Sequence, residues 1–332
     1  MNRVLIVILN WNGLEDTLKC VDSILNQSYK NFTICIVDNN SDVRPSTKIK
    51  PDNNIVLIDN PTNLGFAEGV NTGIRYALEN NYEYVALVNN DALADKDWLE
   101  NLVSSSQQNN SSITAGVVLN ESGTFIDSCG EYFSSWGVSF PAYRMKAKTE
   151  IPESGRVFGA TGGGVLYKTS LFKDIGLFDA RFFMYFEDAD INFRSQLNGH
   201  SSYYTRSAVL YHKGGASSNK VKGLTVYHTF KNLPLVFWKN TPTRLLIRVG
   251  IRFLLLYTLI FGNAIKNGTG VPAFKGFLAS IYHFWTSALW KRLKIQKSKK
   301  VSADHIWSIL YHDLPPEQTG MRKFRKLFTG KA

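Results

Sequence analysis

"YVALVNNDALADKDWL", residues 84–99, is the stretch whose reading decides the fold. Tyr84 to Val88 form a continuous apolar run, Asn89, Asn90 and Asp91 follow, and a helical pattern comes after them. An apolar run bounded by turn residues reads as a strand buried on both faces, the kind that parallel sheets use. Its polar end is either a capped turn, which Asn and Asp favour, or a place where Asp91 holds a metal ion. Upstream, "RVLIVILN" (3–10), "FTICIVDNNS" (32–41) and "NIVLIDN" (54–60) repeat the pattern of an apolar run with a polar end. Between them, "LEDTLKCVDSILNQ" (14–27) sets Leu14, Leu18, Val21, Ile24 and Leu25 on one helical face, and "GFAEGVNTGIRYALEN" (65–80) reads as a second helix. Strands alternating with crossover helices predict an α/β fold, with a mixed, mainly parallel sheet flanked by helices. In such sheets ligands bind beyond the carboxyl ends of the strands, which are here Asn10-Trp11-Asn12, Asp38-Asn39-Asn40, Asp59-Asn60 and Asn89-Asn90-Asp91.

The 332 residues are 44% apolar and 13% aromatic, enough for a large core, and they divide by charge. Between Asp190 and Asp304 there is no acidic residue, while residues 191–303 hold 18 of the 38 Lys and Arg. A one-sided basic block predicts a polyanionic partner, an anionic membrane surface or a nucleic acid. We expect two parts: an α/β domain over residues 1–220 and a basic amphipathic helical region over 221–332. In the second part "RLLIRVGIRFLLLYTLIFG" (244–262) is the most apolar segment, and Arg248 and Arg252 leave only residues 253–262 uninterrupted. That is short of the ~20 residues needed to cross a bilayer. Arg244, Arg248 and Arg252 recur every four residues and form one basic stripe on an apolar helix, the pattern of a helix lying in the membrane interface. The aromatic residues are embedded among aliphatic ones instead of lining a polar groove, so no nucleic-acid partner is expected. "VLIVIL" near the N-terminus is too short for a signal peptide and reads as a first strand. Cys20, Cys35 and Cys129 lack metal-ligand spacing and read as reduced thiols of a cytosolic protein.

Several polar residues have contexts that allow chemistry. Asp38 at a strand end accepts hydrogen bonds either from a nucleoside or within an Asx-turn. In "FFMYFEDADINFR" (182–194), Glu187 and Asp188 open a helix behind an aromatic wall, where a carboxylate with a raised pKa serves as a general base. Asp190 and Arg194 are an i, i+4 pair with the spacing of a surface ion pair. His212, in "VLYHKGGAS", precedes glycines that let backbone approach a ligand. Gly65 opens the "NLGFAEGVNTG" helix, either to cradle a phosphate or to pack on the sheet. "GATGGG" (159–164) has neither the spacing nor the position of a dinucleotide loop.

These pieces, in this order over about residues 3–217, resemble the family 2 glycosyltransferases of GT-A fold. The basic C-terminal region resembles their rhamnosyltransferase-like branch. The resemblance implies an inverting, metal-dependent transfer of a sugar, with L-rhamnose from dTDP-rhamnose as the favoured donor. The donor would be dTDP- or UDP-linked, and the acceptor a hydroxyl of a lipid-linked saccharide or polysaccharide. It implies that Asn10, Trp11, Asn12, Asp38 and Asn40 lie around the nucleoside. Gly65, Asn89, Asn90 and Arg194 would also serve the nucleotide-sugar, Arg194 by supporting the loop or the phosphates. Asp91 would be the last residue of a DxD metal site whose first position is Asn89 here. His212 would approach the same Mg²⁺ or Mn²⁺. Asp188 would be the base, with Glu187 beside it. Peripheral binding at the cytoplasmic face of the plasma membrane follows from the basic block. A sugar nucleotidyltransferase would need a basic, Gly-rich loop after the first strand, where "NWNGLED" is acidic. A non-catalytic membrane-bound sugar-nucleotide binder would not need the acidic pair.

Overall fold

The apolar runs become the central strands of one sheet. The computed structural model describes residues 2–214 and 223–316, so the boundary expected at 220/221 lies outside the described residues. The chain opens with β1 (Val4–Asn10), α1 (Leu14–Leu25), β2 (Phe32–Asp38), β3 (Ile55–Asp59), α2 (Gly65–Glu79) and β4 (Tyr84–Asn89). β1 pairs in parallel with β2 and with β4, and β2 with β3. All four therefore end on one side of the sheet, and their apolar stretches are covered on both faces. α2 rides close on β1: a methyl group at Gly69 would come within 2.6 Å of Leu9, and one at Gly73 within 2.6 Å of Val7. Residues four apart share a helix face, so this pair makes the flat contact. α1 is rotated from its expected face. It buries Thr17, Cys20, Val21 and Ile24 and leaves Leu25 exposed. The Thr17 hydroxyl donates to Asn10 Oδ1 (2.8 Å) and the Cys20 thiol to the Asn89 carbonyl (3.5 Å), so polar strand ends turn this face inward.

The second half of the sheet departs from the simple alternation. It contains β5 (Ala92–Ala94), α3 (Trp98–Gln108), β6 (Ile113–Asn120), β7 (Ile126–Ser128), β8 (Glu131–Phe133), β9 (Ser139–Pro141), β10 (Gly155–Arg156), β11 (Gly164–Lys168), α4 (Thr169–Ile175), α5 (Glu187–Leu197) and β12 (Ser202–His212). The strand order is β10-β12-β6-β11-β4-β1-β2-β3, with β5 on β12, β7 on β6, and β8-β9 a separate ribbon. β11 runs antiparallel to both β4 and β6, while β12 is parallel to β6. "GATGGG" thus feeds a strand into the sheet from the side where β1 and β4 leave it. The Asn89 N–H donates to the Gly163 carbonyl (3.2 Å), and a methyl at Gly163 would stand 2.7 Å from the Asn89 amide. These glycines serve close backbone approach.

The C-terminal region is helical: α6 (Leu224–Asn240), α7 (Leu246–Lys266), α8 (Gly270–His283), a π-helical turn (Phe284–Ala288), α9 (Leu289–Ser298) and α10 (Ala303–Ile309). One apolar cluster joins it to the sheet domain, with Phe133, Phe158 and Phe193 packed together with Phe230, Phe237 and Phe253. α8 lies close on α6, where a methyl at Gly276 would clash with the Tyr227 carbonyl at 2.3 Å. α7 buries Val249, Phe253, Leu256, Tyr257 and Ala264. Its opposite flank leaves Ile247, Ile251 and Leu254 exposed at 78%, 69% and 65%. Of the arginine stripe, Arg248 stacks on Trp307 of α10 at 3.6 Å and Arg252 lies 5.7 Å from the same ring. By length and composition the segment Thr243–Lys266 suffices to cross a membrane, which corrects the reading of it as too short.

Candidate active site

A cavity of about 600 Å³ opens at the carboxyl ends of β1 and β4. Its walls include Asn89, Asn90 and Asp91 after β4, Asp127 and Ser128 of β7, Gly162 and Gly163 before β11, Glu187 and Asp188 at the start of α5, and His212 at the end of β12. Parallel strands that leave the sheet here, and antiparallel β11 and β7 beside them, bring these distant positions to one edge.

The first cluster centres on His212. β5 returns antiparallel along β12 with Ala92 opposite His212, which sets Asp91 beside the imidazole. His212 Nε2 lies 3.2 Å from Asp91 Oδ1 and 3.1 Å from the Asn89 amide nitrogen, and Nδ1 lies 3.0 Å from Asp127 Oδ2. Burial works against a charged ring, but the Asp127 and Asp91 carboxylates outweigh it and raise the pKa to about 9. Burial likewise opposes ionisation of both carboxylates. The His212 hydrogen bond is the largest opposing effect and holds each below its ordinary value. Asp127 was missed in the sequence, where "FIDSCG" carries no motif; Arg144 lies 3.5 Å from its other oxygen.

Does this cluster fit a divalent cation? The two nitrogens of His212 face opposite carboxylates, so the three groups do not point at one centre. Among the described residues no set of three His, Cys, Asp or Glu side chains converges to hold a metal. Asp91 and His212 Nε2 do face each other. Asp91 fits a Mg²⁺-like site, in which one or two carboxylates hold a cation whose remaining ligands are phosphate oxygens and water, and His212 joins it only on losing the Nε2 proton that faces Asp91.

The second cluster is acidic, and although the Lys231 ammonium lowers Glu187, burial and the neighbouring Asp188 charge outweigh it. The segment before α5 is strained: Phe183, Tyr185 and Phe186 have φ of 64°, 66° and 67°. Bulky residues rarely adopt that region, and such strain persists only where surroundings hold it. Here α6 holds it. Asn232 donates to the carbonyls of Phe182, Met184 and Tyr185, and Lys231 to those of Arg181 and Phe182. The result aims Glu187 and Asp188 into the cavity. Asp188 accepts from the N–H groups of Ala189 (2.8 Å) and Gly162 (3.3 Å). Glu187 Oε2 is buried with no hydrogen-bond partner. Burial raises both carboxyls, and the Asp188 charge pushes Glu187 further up, well above the usual range. Of the two, Asp188 has more of the backbone donors that favour ionisation, and Glu187 is pushed up further. Behind them Glu131, a third carboxyl absent from the expected site, bonds to Ser139 and Asn192 and is also raised well above its usual value by burial, then by Asp188.

Other expected residues are distributed less simply. Trp11, Gly65, Asn89 and Asn90 line the cavity. Gly65 has φ +75°, and a methyl there would meet the Phe183 ring at 2.5 Å, so glycine lets the strained loop close on α2. Asn10 and Asp38 sit beneath, fully buried. The Asn10 amide donates to Asp38 Oδ1 (2.7 Å) and the Ser41 N–H to Asp38 Oδ2 (2.9 Å). Asn12 donates its N–H to the Ser41 hydroxyl (2.8 Å) and accepts from the Asp42 N–H (2.8 Å), away from the cavity lining. Asn40 is corrected: it is exposed with φ 61°, and Asn39 lines the cavity, donating to the Gly65 carbonyl at 2.9 Å. Of the two roles expected of Arg194, supporting a loop or the phosphates, its contacts match the first. It is buried on Asp190 at 2.9 Å and donates to the carbonyls of Ile175, Gly176 and Leu177, so it braces a loop and touches no part of the cavity.

The family model described as Glycosyl transferase family 2 matches residues 5–176, just over half of the chain. The chain belongs to glycosyl transferase family 2. This family 2 chain is 30% identical over 196 residues to the low-salt glycan biosynthesis hexosyltransferase Agl10 of Haloferax volcanii, an alignment covering 58% of this chain and 61% of that protein. It thus spans less than two thirds of that relative's length. It is 22% identical over 282 residues to the dTDP-rhamnosyl transferase RfbF of Shigella flexneri, covering 80% of this chain and 90% of that protein. Among solved structures it resembles the mannosyltransferase PcManGT of Pyrobaculum calidifontis in complex with GDP-Man and Mn²⁺, with TM-score 0.51, 15% identity, and coverage of 99% of this chain and 81% of that one. It also resembles GalNAc-T7 with UDP, GalNAc and Mn²⁺, with TM-score 0.54, 15% identity, and coverage of 71% of this chain and 47% of that one. At such identity the likeness bears on the fold, a GT-A sheet flanked by helices.

Proposed function

We propose that this family 2 chain is an inverting glycosyltransferase acting on a lipid-linked or polysaccharide acceptor. The donor we favour is dTDP-L-rhamnose, a choice supported by the likeness to RfbF over most of both chains. The observation that carries the reading is one cavity with Asp91 and His212 on one wall and an isolated acidic pair, Glu187 and Asp188, on another. Asp188 takes the proton of the acceptor hydroxyl, and the oxygen attacks the anomeric carbon opposite the nucleotide. The N–H groups of Ala189 and Gly162 keep Asp188 ionised before the proton arrives, and the raised pKa makes it a competent base. Glu187, protonated on the Oε2 atom that has no partner, is free to donate a hydrogen bond to a sugar. Trp11, Asn39 and Gly65 form the wall on which we place the nucleoside. A divalent cation on Asp91 and His212, when bound, would offset charge on the leaving diphosphate.

Peripheral membrane binding at the cytoplasmic face is part of the proposal. The exposed apolar flank of α7, exposed Trp285 and Trp290, and the acid-free basic block support it. α7 also packs one whole flank against the domain, which favours lying alongside the bilayer over crossing it. The test is a sugar-nucleotide panel read by thermal shift, followed by transfer from each stabilising donor. Stabilisation by dTDP-rhamnose with transfer to a lipid-linked saccharide is expected. A shift with a different sugar nucleotide would overturn the rhamnose assignment, and donor binding without transfer or donor hydrolysis would overturn the enzyme.

A further inference from the structure

The helical region holds a second cavity, a groove of about 290 Å³ between α6 and the α8–π-turn segment. We infer that it takes the hydrocarbon chain of the lipid-linked acceptor. This rests on the acceptor class proposed above. Leu235, Trp238, Phe277, Ile281, Phe284 and Trp285 line the groove. Its one hydroxyl, Ser280, is almost wholly buried, and the Trp238 indole N–H is buried without a partner. An extended peptide laid here would leave its backbone groups unpaired, at a cost of about 1–3 kcal/mol for each buried one, whereas a hydrocarbon brings no such groups. The volume is about twice that of an engineered ~150 Å³ apolar cavity that stays dry and accepts benzene.

The surroundings fit the same occupant. The mouth of the groove carries Phe277, Ile281 and Trp285, which are part of the exposed apolar face that α7, α8 and α9 share. A second copy of this chain is a poor occupant, because it would bring one acid-free basic block against another. A phosphate-bearing lipid has the complementary charge. α6 supplies the link to the chemistry. Leu224 lines the reaction cavity and Leu235 lines the groove. Eleven residues are about three helical turns and ~16 Å, so both face the same side of α6. A chain seated in the groove therefore holds its head group along the helix that walls the reaction cavity.

The test uses the full chain in detergent with farnesyl phosphate carrying a photoactivatable diazirine on its chain. Labelled peptides are expected to map to the second half of α6 and to the α8–π-turn segment, with unmodified farnesyl phosphate competing and inorganic phosphate not competing. Ser280→Phe, or the milder Ser280→Leu if the first folds poorly, fills the groove. Either should cut labelling about tenfold, the equivalent of about 1.4 kcal/mol, and leave the thermal shift by sugar nucleotide unchanged. Labelling spread along Ile247, Ile251 and Leu254 would mean a bilayer contact alone and would overturn the inference. So would labelling that survives both substitutions, or a dimer in wild type that Ser280→Phe dissociates. Labelling is read without turnover, so an inactive protein would count against the enzyme and leave the groove standing or falling by its own result.

Discussion

Asp188 and Asp190 stand two residues apart on α5, and their carboxyls shift in opposite directions. Burial raises Asp188, whose hydrogen bonds come from backbone N–H groups. Burial also opposes ionisation of Asp190, but the Lys239 ammonium and the Arg194 guanidinium outweigh it. The two faces of one helix thus belong to different worlds. On the cavity side three carboxyls, Glu131, Glu187 and Asp188, crowd without a cation bonded to any of them. On the packed side Lys239 bridges Asp179 (2.7 Å) and Asp190 (2.8 Å), and Lys291 of α9 reaches Asp179 at 2.6 Å. A carboxylate tied into a buried ion pair serves architecture, while one left uncompensated at a cavity wall is fitted for proton transfer.

The largest effects should separate these faces. Asp188→Asn is expected to lower kcat by about 10²–10⁴-fold, the usual contribution of a general base, while donor binding survives. Wild-type turnover would refute its role. Lys239→Ala removes the ammonium that Asp179 and Asp190 share, leaves each with one close cation (Lys291 and Arg194), and should cost up to about 3–5 kcal/mol of stability, read by urea unfolding. The paired acids have depressed folded-state pKa values, so their contribution is full above the unfolded value near ~3.9 and is lost as pH falls through the folded value. Acid unfolding should therefore move to higher pH in Lys239→Ala.

A smaller effect concerns His212. Its folded pKa of about 9 exceeds the ordinary 6.5, so its contribution is complete below 6.5 and disappears as pH rises through about 9. Melting of the metal-free protein should fall between pH 7 and 10, and Asp127→Asn should flatten that fall. A profile unchanged in Asp127→Asn would count against the triad. Chelation by EDTA should slow transfer, and Asn89→Asp, which adds a second carboxylate beside Asp91, should tighten the dependence on Mn²⁺. Full activity in EDTA would remove the cation from the account. The smallest effect expected is at the membrane face. Each basic residue near an anionic surface contributes about 1 kcal/mol, so Lys294→Ala should weaken flotation with anionic vesicles only about fivefold.

Much of this contrast is legible in the chain before folding. The apolar runs with polar ends announce β1 to β4, and "ED" behind an aromatic wall announces the carboxyl pair that lines the cavity. His212 and Asp91 are each visible, but their meeting is not, because it depends on the antiparallel return of β5 along β12. Asp127 and Glu131 lie on short strands whose partners are distant in sequence, and no local pattern marks them. Asn39 and Asn40 are equivalent by composition; a left-handed backbone at Asn40 decides which faces the cavity. The Asp190–Arg194 spacing predicts the pair correctly, but not its burial, since that depends on α6 closing over α5. Side-chain types and local spacing reveal what a residue is able to do. Tertiary pairing decides which of two carboxylates does it.

The most direct measurement compares Asp188→Asn with Asp190→Asn, each assayed for sugar transfer and for urea unfolding. The account predicts that Asp188→Asn loses transfer and keeps or gains stability, because it removes a charge that crowds Glu187 and Glu131, while Asp190→Asn loses stability. Asp188→Asn transferring at the wild-type rate, or unfolding as easily as Asp190→Asn, would contradict it.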